Sequence, residues 1–283
     1  MAKETVLITG CSDGGIGSGL ALTFQQRGYH VFATARNPQK MSKLKDLPNV
    51  TFITLDICDK GQIAAAVDTV TAQTGGTLDH LVNNAGQGRF MPILDEDLEA
   101  SKRLYDVNVW GPLSVTQAFS PLLIKARGKI TFITSVAGHI SSPYVGVYGS
   151  TKRALEILAE TLRLEIAPLG VRVLAVTTGT VQSMGQVGTY DNYQLPEGSL
   201  YKPIEDIVAS RAQGNDQFGR MDLMAYSEKV VTEITKGNSA KVWCGANAGF
   251  ARFANSFVPQ SILDNMVTRG TGLDVLASQR KDE

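Results

Sequence analysis

The stretch LITGCSDGGIGSGLA at residues 7–21 places five glycines within ten residues, directly after an apolar run. Between a strand and a helix, glycines let backbone N–H groups and the helix N-terminus approach a pyrophosphate. The stretch therefore predicts a nucleotide-binding turn, with contacts from Gly10, Ser12, Asp13, Gly15, Ile16 and Gly17. A turn that holds no ligand is the alternative, because glycine-rich turns also connect strands to helices in proteins without nucleotides.

Outside this turn, short β-branched runs alternate with longer amphipathic segments. The runs predict strands at residues 5–9, 30–34, 50–55, 78–83, 129–134, 171–177 and 240–244. The amphipathic segments predict helices at residues 17–26, 60–73, 97–126 and 146–167, the third with a kink at Gly111-Pro112. Such alternation is typical of βαβ units, so we expect one α/β domain over residues 1–283, built on a parallel sheet.

Two later segments depart from this alternation. Residues 178–219 are rich in Gly, Ser, Thr, Gln and Tyr, and long irregular stretches of this kind tend to be lids or binding loops. Residues 247–283 carry apolar clusters and end in the polar run SQRKDE. We expect the first segment to form a substrate lid, and the second to contribute to the substrate pocket or to contacts between subunits.

The composition excludes several classes of function. The 283 residues include 27 Lys+Arg and 27 Asp+Glu, so no global field attracts nucleic acid or an anionic membrane. The cysteines, Cys11, Cys58 and Cys244, are too scattered for a disulfide framework, and the three histidines form no visible metal set. No apolar run approaches the roughly 18 residues of a membrane span. We expect a cytoplasmic protein with a small-molecule substrate and no metal, with peripheral membrane association left open.

The residue after the second predicted strand bears on the choice of nucleotide. NAD-selective enzymes usually place a carboxylate there for the ribose hydroxyls, whereas the 2′-phosphate of NADP needs a cation. This chain has Arg36, and no acidic residue between Gly28 and Met41. Arg36 therefore favours NADPH/NADP+, although an arginine is by residue type more often a solvated surface charge. We expect the carboxylate of Asp13 to turn towards solvent or towards Arg36.

The ends of the next two predicted strands also point to the nucleotide. Asp56 is placed to accept from the adenine amino group, with Ile57 near the ring, whereas a helix cap is the alternative role for Asp56. The fourth strand runs into NNAG, and Asn83, Ala85 and Gly86 are predicted to hold a tight turn against the cofactor. An ordinary turn after a strand is the alternative.

The sharpest chemical element is YGSTK, which places Tyr148 and Lys152 on one face of a helix. Carbonyl reduction leaves negative charge on oxygen, and a tyrosine supplies the proton more readily when a nearby cation stabilises its phenolate. Ser135, at the end of the fifth strand, is placed to donate to the carbonyl, and Asn108 is placed to distort its helix and hold a water. Separately, each of the four side chains has an ordinary structural role as its alternative.

The pieces TGCSDGGIG, LDI, NNAG, VNVWG, ITFITS and YGSTK, in this order, resemble the short-chain dehydrogenase/reductase family. The resemblance implies a Rossmann-type doubly wound parallel sheet of about seven strands with helices on both faces. It also implies a nicotinamide cofactor, homodimers or homotetramers, and a catalytic tetrad at Asn108, Ser135, Tyr148 and Lys152. The glycine loop is one residue longer than the common TGxxxGxG form, and we expect Gly14 or Asp13 to absorb that residue.

Within the family, the sequence is most similar to fungal 1-acyldihydroxyacetone-phosphate reductases, through its lengthened loop, ATARNP, NNAGQ and a C-terminal ARFANSFVP segment. Two departures matter. Thr178-Gly179 replaces the usual Pro-Gly pair, and we expect Gly179 to keep the backbone freedom, so that Gly179 and Val181 still contact the cofactor. The C-terminal segment is also less apolar than a membrane-attached lipid reductase requires, which makes a specialised-metabolite ketone a comparable substrate.

Together these features predict an NADPH-dependent reductase of a hydrophobic ketone or aldehyde. An aromatic pocket suits such a substrate, and its candidate lining is Phe90, Tyr144, Tyr190, Tyr193 and Phe218. Three alternatives stay open: an NAD-dependent alcohol dehydrogenase acting oxidatively, a cofactor-binding protein without turnover, and a non-redox enzyme on the same scaffold.

Overall fold

Seven parallel strands lie at the centre of the fold of this computed structural model, which describes residues 3–184, 190–215, 218–236 and 240–279. They are β1 (Thr5–Thr9), β2 (His30–Ala35), β3 (Val50–Thr54), β4 (His80–Asn83), β5 (Lys129–Ser135), β6 (Arg172–Thr178) and β7 (Lys241–Cys244). Their order is β3-β2-β1-β4-β5-β6-β7, so the winding direction reverses between β1 and β4. In doubly wound sheets, ligands bind at the carboxyl edge beside such a reversal.

Helices cover both faces of the sheet, which confirms the expected fold class. They are α1 (Ile16–Gln26), α2 (Lys60–Thr74), α3 (Leu98–Tyr105), α4 (Gly111–Ala126), α5 (Gly146–Ile166), α6 (Glu205–Ala212), α7 (Leu223–Thr235), α8 (Ala248–Phe257), α9 (Gln260–Thr268) and α10 (Leu273–Gln279). Alternate residues of β1 face opposite sides: Leu7 packs with Phe119 of α4, and Ile8 packs with Phe24 of α1. Because both faces are buried, the strands read as continuous apolar runs.

The third predicted helix is interrupted, but not by a kink at Gly111-Pro112. The interruption is a π-helical turn, Asp106–Trp110, and Pro112 lies in the first turn of α4. The helix runs on without a break from α3 through this turn into α4, so Pro112 does not end it. The distortion therefore falls on Asn108 itself.

Residues 178–219 are less irregular than the sequence suggested. Thr178 ends β6, a short 3₁₀ helix spans Lys202–Ile204, and α6 follows it, whereas residues 185–189 and 216–217 lie outside the described part of the chain. A third apolar cluster joins this segment to the C-terminal region, through Leu195, Val208 and Leu276 of α10. Among the described residues, no helix is both long and apolar enough to cross a membrane.

Candidate active site

The glycine-rich turn connects β1 to the N-terminus of α1, at the reversal of the sheet. Gly14 has a φ of +72°, so it absorbs the extra residue of the loop, and Asp13 does not adopt this left-handed conformation. A side chain at Gly17 would collide with the carbonyl oxygen of Gly10 and with Asn84. No side chain caps α1 at its N-cap residue, Gly15, so the N–H groups of its first turn can bind an anion.

The Asp13 carboxylate binds the segment after β2 rather than Arg36. Its Oδ2 accepts from the N–H and the hydroxyl of Ser42, at 2.8 and 2.7 Å, and its Oδ1 accepts from the N–H of Lys43 at 3.0 Å. Partial burial raises the pKa of Asp13, but these hydrogen bonds outweigh burial and hold the pKa below its usual range. The carboxylate thus anchors the segment after β2 at a partly exposed position, and it does not turn to Arg36.

The side chain of Arg36 is exposed directly after β2, and within the described residues no hydrogen bond or ion pair is recorded for it. Asp56 follows β3, and its Oδ1 accepts from the N–H of Cys58 at 3.0 Å, while Asp59 caps α2. The side chain of Ile57 is buried in the core against Gly111, so a contact with the adenine ring from this position stays a prediction. Of these three positions, only Arg36 presents an uncommitted charge.

The loop after β4 is held by Asn84 rather than by Asn83. Asn83 is buried, and its Nδ2 donates to Thr116 of α4 at 2.9 Å, so its side chain faces the core. Asn84 Nδ2 donates to the carbonyls of Thr9 and Gly10, at 2.8 and 3.1 Å. The Thr9 hydroxyl in turn accepts from the N–H groups of Asn84 and Ala85. These bonds fix the loop after β1 against the loop after β4.

Asn108 lies in the π-helical turn and binds both the loop after β4 and α5. Its Oδ1 accepts from the N–H of Gln87 at 2.8 Å, and its Nδ2 donates to the Gln87 carbonyl and to the Thr151 hydroxyl. Gly86 is packed between Asn108 and Lys152, whose side-chain atoms lie 3.1 and 3.2 Å from the position of a Cβ at residue 86. The side chain of Asn108 is therefore fully engaged, and only its backbone is left to hold a water.

Tyr148, Ser135 and Lys152 converge where β5 meets α5. Burial raises the pKa of Tyr148, and a hydrogen bond with the Ser135 side chain opposes that rise. Lys152 Nζ donates to the carbonyl of Ile133 at 3.1 Å, and burial lowers the pKa of Lys152 to about 8. The Nζ atom lies 6.0 Å from the centre of the Tyr148 ring. This arrangement can donate a proton to an oxygen that develops negative charge beside Ser135.

The segment after β6 passes close to the same edge. Gly179 is required there for close approach rather than for backbone freedom, because a side chain would collide with the carbonyl oxygen of Ala246. The Thr178 hydroxyl is 2.7 Å from the Tyr226 hydroxyl, so Thr178 is tied to α7 in the absence of the usual proline. Val181 pairs with Met221 in an isolated bridge and packs against the core.

Four of the five expected aromatic residues lie together. Phe90 is 5.7 Å from Tyr144 and 6.4 Å from Tyr193, and Tyr193 is 6.2 Å from Tyr190, measured between ring centres. The fifth, Phe218, is exposed. Tyr144 has a left-handed φ of +71° and donates to the carbonyl of Thr271, so the pocket wall is tied to the C-terminal region.

Sequence reasoning missed three residues that hold the site: Thr9, Asn84 and Glu156. Thr9 and Asn84 carried a signal, since Thr9 begins TGCSDGGIG and Asn84 is the second residue of NNAG. Glu156 carried none, because its partners come from five separate positions of the chain. Among the described residues, no group of His, Cys, Asp and Glu is suited to hold a metal ion.

Comparison with known proteins supports the expected family. The short chain dehydrogenase family model matches residues 4–193. Short-chain dehydrogenase ptmH of Penicillium ochrochloron is 47% identical over 273 residues, which cover 96% of this chain and 100% of that protein. The NADPH-dependent 1-acyldihydroxyacetone phosphate reductase of Schizosaccharomyces pombe is 36% identical over 220 residues, which cover 77% of this chain and 74% of that protein.

A solved structure agrees with this assignment. A short chain dehydrogenase from Burkholderia cenocepacia, in complex with NADP, has a TM-score of 0.72 at 25% identity and matches 94% of this chain and 97% of that chain. The resemblance predicted from the motifs is thus confirmed. The chain is an oxidoreductase of the short-chain dehydrogenase/reductase family.

Proposed function

We propose that this protein is an NADPH-dependent reductase that transfers hydride to a ketone or aldehyde of a hydrophobic small molecule. The observation that carries the proposal is the convergence of Tyr148, Ser135 and Lys152 beside the nucleotide loop. A neutral tyrosine is the form needed to protonate an alkoxide, and burial keeps the phenol neutral by raising its pKa.

The residues at the carboxyl edge fit NADPH. The uncapped N-terminus of α1 suits a pyrophosphate, and the exposed Arg36 suits the 2′-phosphate, since a guanidinium binds phosphate with two parallel hydrogen bonds. Asp13 does not oppose that phosphate, because its carboxylate is engaged by Ser42 and Lys43. The S. pombe relative is described as NADPH-dependent, and the B. cenocepacia structure holds NADP.

NADPH supplies the hydride when bound, and the side chains of this chain handle the proton. Tyr148 donates its phenolic proton to the substrate oxygen, while the Ser135 hydroxyl orients that oxygen. Lys152, when protonated, stabilises the resulting phenolate and anchors the cofactor ribose. Asn108 holds the loop after β4 and α5 together, so that its backbone can support proton return from solvent.

The aromatic group of Phe90, Tyr144, Tyr190 and Tyr193 favours an apolar substrate. Both a bulky cyclic ketone and an acyl-dihydroxyacetone-phosphate-like lipid belong to this class. The lipid is favoured by the activity of the S. pombe relative, which is a 1-acyldihydroxyacetone phosphate reductase. We further propose a homodimer or homotetramer, supported by the exposed Ile157 and Leu164 on α5, and light scattering after gel filtration measures it.

The assay that tests the proposal follows NADPH absorbance with a panel that includes 9,10-phenanthrenequinone and palmitoyl-dihydroxyacetone phosphate. Tyr148→Phe removes the proton donor, and general acid catalysis contributes roughly 10²- to 10⁴-fold, so kcat falls by that factor. Tyr29→Phe is the control, because Tyr29 packs on Phe24 and His80, away from the site. Full activity of Tyr148→Phe would remove Tyr148 from the reaction, and a preference for NADH would favour the oxidative NAD-dependent alternative.

A further inference from the structure

Glu156 is a buried carboxylate just outside the proposed catalytic set. It lies on α5, four residues after Lys152, and its side chain is 1% exposed. Its Oε2 accepts from the hydroxyls of Thr134 and Thr177, both at 3.1 Å. Its Oε1 lies 2.8 Å from His139 Nε2, 2.9 Å from Arg153 and 2.5 Å from Lys241. Glu156 thus joins β5, β6, β7 and the loop after β5 to α5.

Three consecutive residues at the end of β5 each contact α5. The carbonyl of Ile133 accepts from Lys152, and the hydroxyl of Thr134 lies 3.1 Å from both Glu156 Oε2 and the Val176 carbonyl. The Ser135 side chain faces Tyr148 and lowers the pKa of its phenol. Ser135 also caps the 3₁₀ turn Val136–Gly138, and His139 follows that turn. Glu156 therefore contacts Thr134, immediately before Ser135, and His139, immediately after the 3₁₀ turn that Ser135 caps.

The charge of Glu156 is well compensated, which keeps these contacts rigid. Burial raises its pKa, but hydrogen bonds from His139 and Lys241 outweigh burial and lower the pKa to about 2. A buried carboxylate that satisfies five partners has little freedom to move, because each lost partner leaves a buried polar group unpaired.

We propose that Glu156 is a positioning residue that fixes the Ser135 turn against Tyr148 and Lys152, so that the Ser135 hydroxyl stays aligned with the Tyr148 phenol. The inference rests on the proposed function for its consequence in catalysis. The placement of the Ser135 turn rests on the contacts of Glu156 with Thr134 and His139, which lie on either side of that turn.

The alignment is measured first, without any substrate. In protein labelled with [¹³Cζ]tyrosine and saturated with NADP+, the resonance absent from Tyr148→Phe reports the titration of Tyr148. Glu156→Gln keeps the side-chain volume but loses the charge, and the Ser135 hydrogen bond that lowers the Tyr148 pKa weakens. We expect Tyr148 to titrate at a higher pH in Glu156→Gln. The ionisable groups that face Tyr148, namely Lys152, Tyr190 and Tyr226, are the same in every variant.

Glu160→Gln is the matched control. Glu160 lies one turn later on α5 and also binds Lys241, at 3.1 Å, but its side chain is 42% exposed and no contact with β5 is recorded for it. In Glu160→Gln, Tyr148 is expected to titrate at the same pH as in the unmodified protein. An unchanged Tyr148 titration in Glu156→Gln would overturn the proposal, even if the protein reduces none of the carbonyl compounds tested.

The second readout is the division between kcat and KM, with 9,10-phenanthrenequinone as the probe. Misalignment of a catalytic group costs roughly 10- to 100-fold, so kcat of Glu156→Gln falls by that factor. The KM for NADPH is expected to stay within about twofold, because the nucleotide loop is untouched. Both roles predict lower stability, but a purely structural role predicts an unchanged kcat for the folded protein.

Thr134→Val provides a second route if Glu156→Gln fails to fold. It removes the hydroxyl that joins Glu156 to β5, while His139, Arg153 and Lys241 keep their contacts with the carboxylate. We expect the Tyr148 titration to move upward and kcat to fall, with Thr134→Ser restoring both. If Thr134→Val leaves both measurements unchanged, Glu156 does not act through Ser135.

Discussion

Burial has opposite consequences for the two residues of the YGSTK motif. It raises the pKa of Tyr148, and it lowers the pKa of Lys152 to about 8. At neutral pH both groups therefore carry their proton, which is the protonation state that carbonyl reduction requires. The same residues are poorly set for oxidation at neutral pH, since that direction needs a phenolate.

The pH dependence of reduction follows from these shifts. We expect kcat/KM to be level at neutral pH and to fall above about pH 8, as Lys152 loses its proton. Lys152→Arg retains the positive charge, so in that variant the decline moves to higher pH although the maximum is lower. A profile of the unmodified protein that stays level through about pH 10 would contradict this role of Lys152.

Arg36 is expected to select the cofactor. Hydrogen bonds to charged groups contribute about 1.5–3 kcal/mol, so Arg36→Ala raises the Kd for NADPH roughly 10- to 100-fold and leaves the Kd for NADH nearly unchanged. Calorimetric titration with both nucleotides measures the two values. Arg103→Ala is the control, because Arg103 is an exposed arginine of α3 with one 4.0 Å contact to Asp97. Equal weakening of NADPH and NADH binding would place Arg36 outside the 2′-phosphate site.

Individual side-chain directions were the least predictable feature of the site. The pattern NNAG predicted a turn, but Asn83 ends β4 facing α4 while Asn84 faces the glycine loop, and a shift of one residue decides between them. The partners of Asp13 lie 29 and 30 residues away in sequence. No local pattern reports such contacts, whereas the i and i+4 spacing of Tyr148 and Lys152 was sufficient to place them on one face.

At the scale of elements, the strands were predictable because buried parallel strands are apolar throughout. The distortion at Asn108 was expected from that residue, but its π-helical form over Asp106–Trp110 was not, since the visible breaker, Gly111-Pro112, lies just after it. Its cause is tertiary: Asn108 bonds to Gln87 and to Thr151, and these contacts favour an extra residue in the turn. The position of the glycine loop was predictable from the sequence, but its close packing against Asn84 was not.

The close packing of the glycine loop against α1 and Asn84 is tested by alanine substitutions in the first turns of two helices. Gly17 is the second residue of α1, and Gly249 is the second residue of α8, where a Cβ would meet no atom within 4 Å. Gly17→Ala forces the loop away from α1, so we expect NADPH binding to be lost in fluorescence titrations. Gly249→Ala is expected to bind as the unmodified protein does. Normal NADPH binding by Gly17→Ala would mean that the cofactor does not use this turn.

At the scale of the whole molecule, Glu156 links one side of the sheet to α5 and makes stability depend on pH. Its pKa is about 2 in the folded protein, below the ordinary value of 4.5. A carboxylate of this kind stabilises the fold above its ordinary pKa, and the stabilisation is lost as pH falls towards the folded value. The shift corresponds to a free energy on the order of 3 kcal/mol.

Urea unfolding at a series of acidic pH values measures this contribution. The free energy of unfolding of the native sequence falls between about pH 4.5 and pH 2, and Glu156→Gln loses that part of the slope. The exposed Glu160 is the control, and Glu160→Gln is expected to keep the slope. Parallel pH curves for the native sequence and Glu156→Gln would show that Glu156 is not an ionised, stabilising group in the folded state.

The central claim, hydride transfer from NADPH to a carbonyl with Tyr148 as the proton donor, is tested most directly with NADPH that carries deuterium at both hydrogen positions of nicotinamide C4. The protein is incubated with labelled NADPH and 9,10-phenanthrenequinone or palmitoyl-dihydroxyacetone phosphate, and mass spectrometry measures the alcohol product. We predict one deuterium on the former carbonyl carbon of palmitoyl-dihydroxyacetone phosphate. Tyr148→Phe is expected to form far less product, whereas Tyr29→Phe is expected to form as much as the unmodified protein. An alcohol without deuterium from palmitoyl-dihydroxyacetone phosphate, or equal product from Tyr148→Phe with either substrate, would contradict the account.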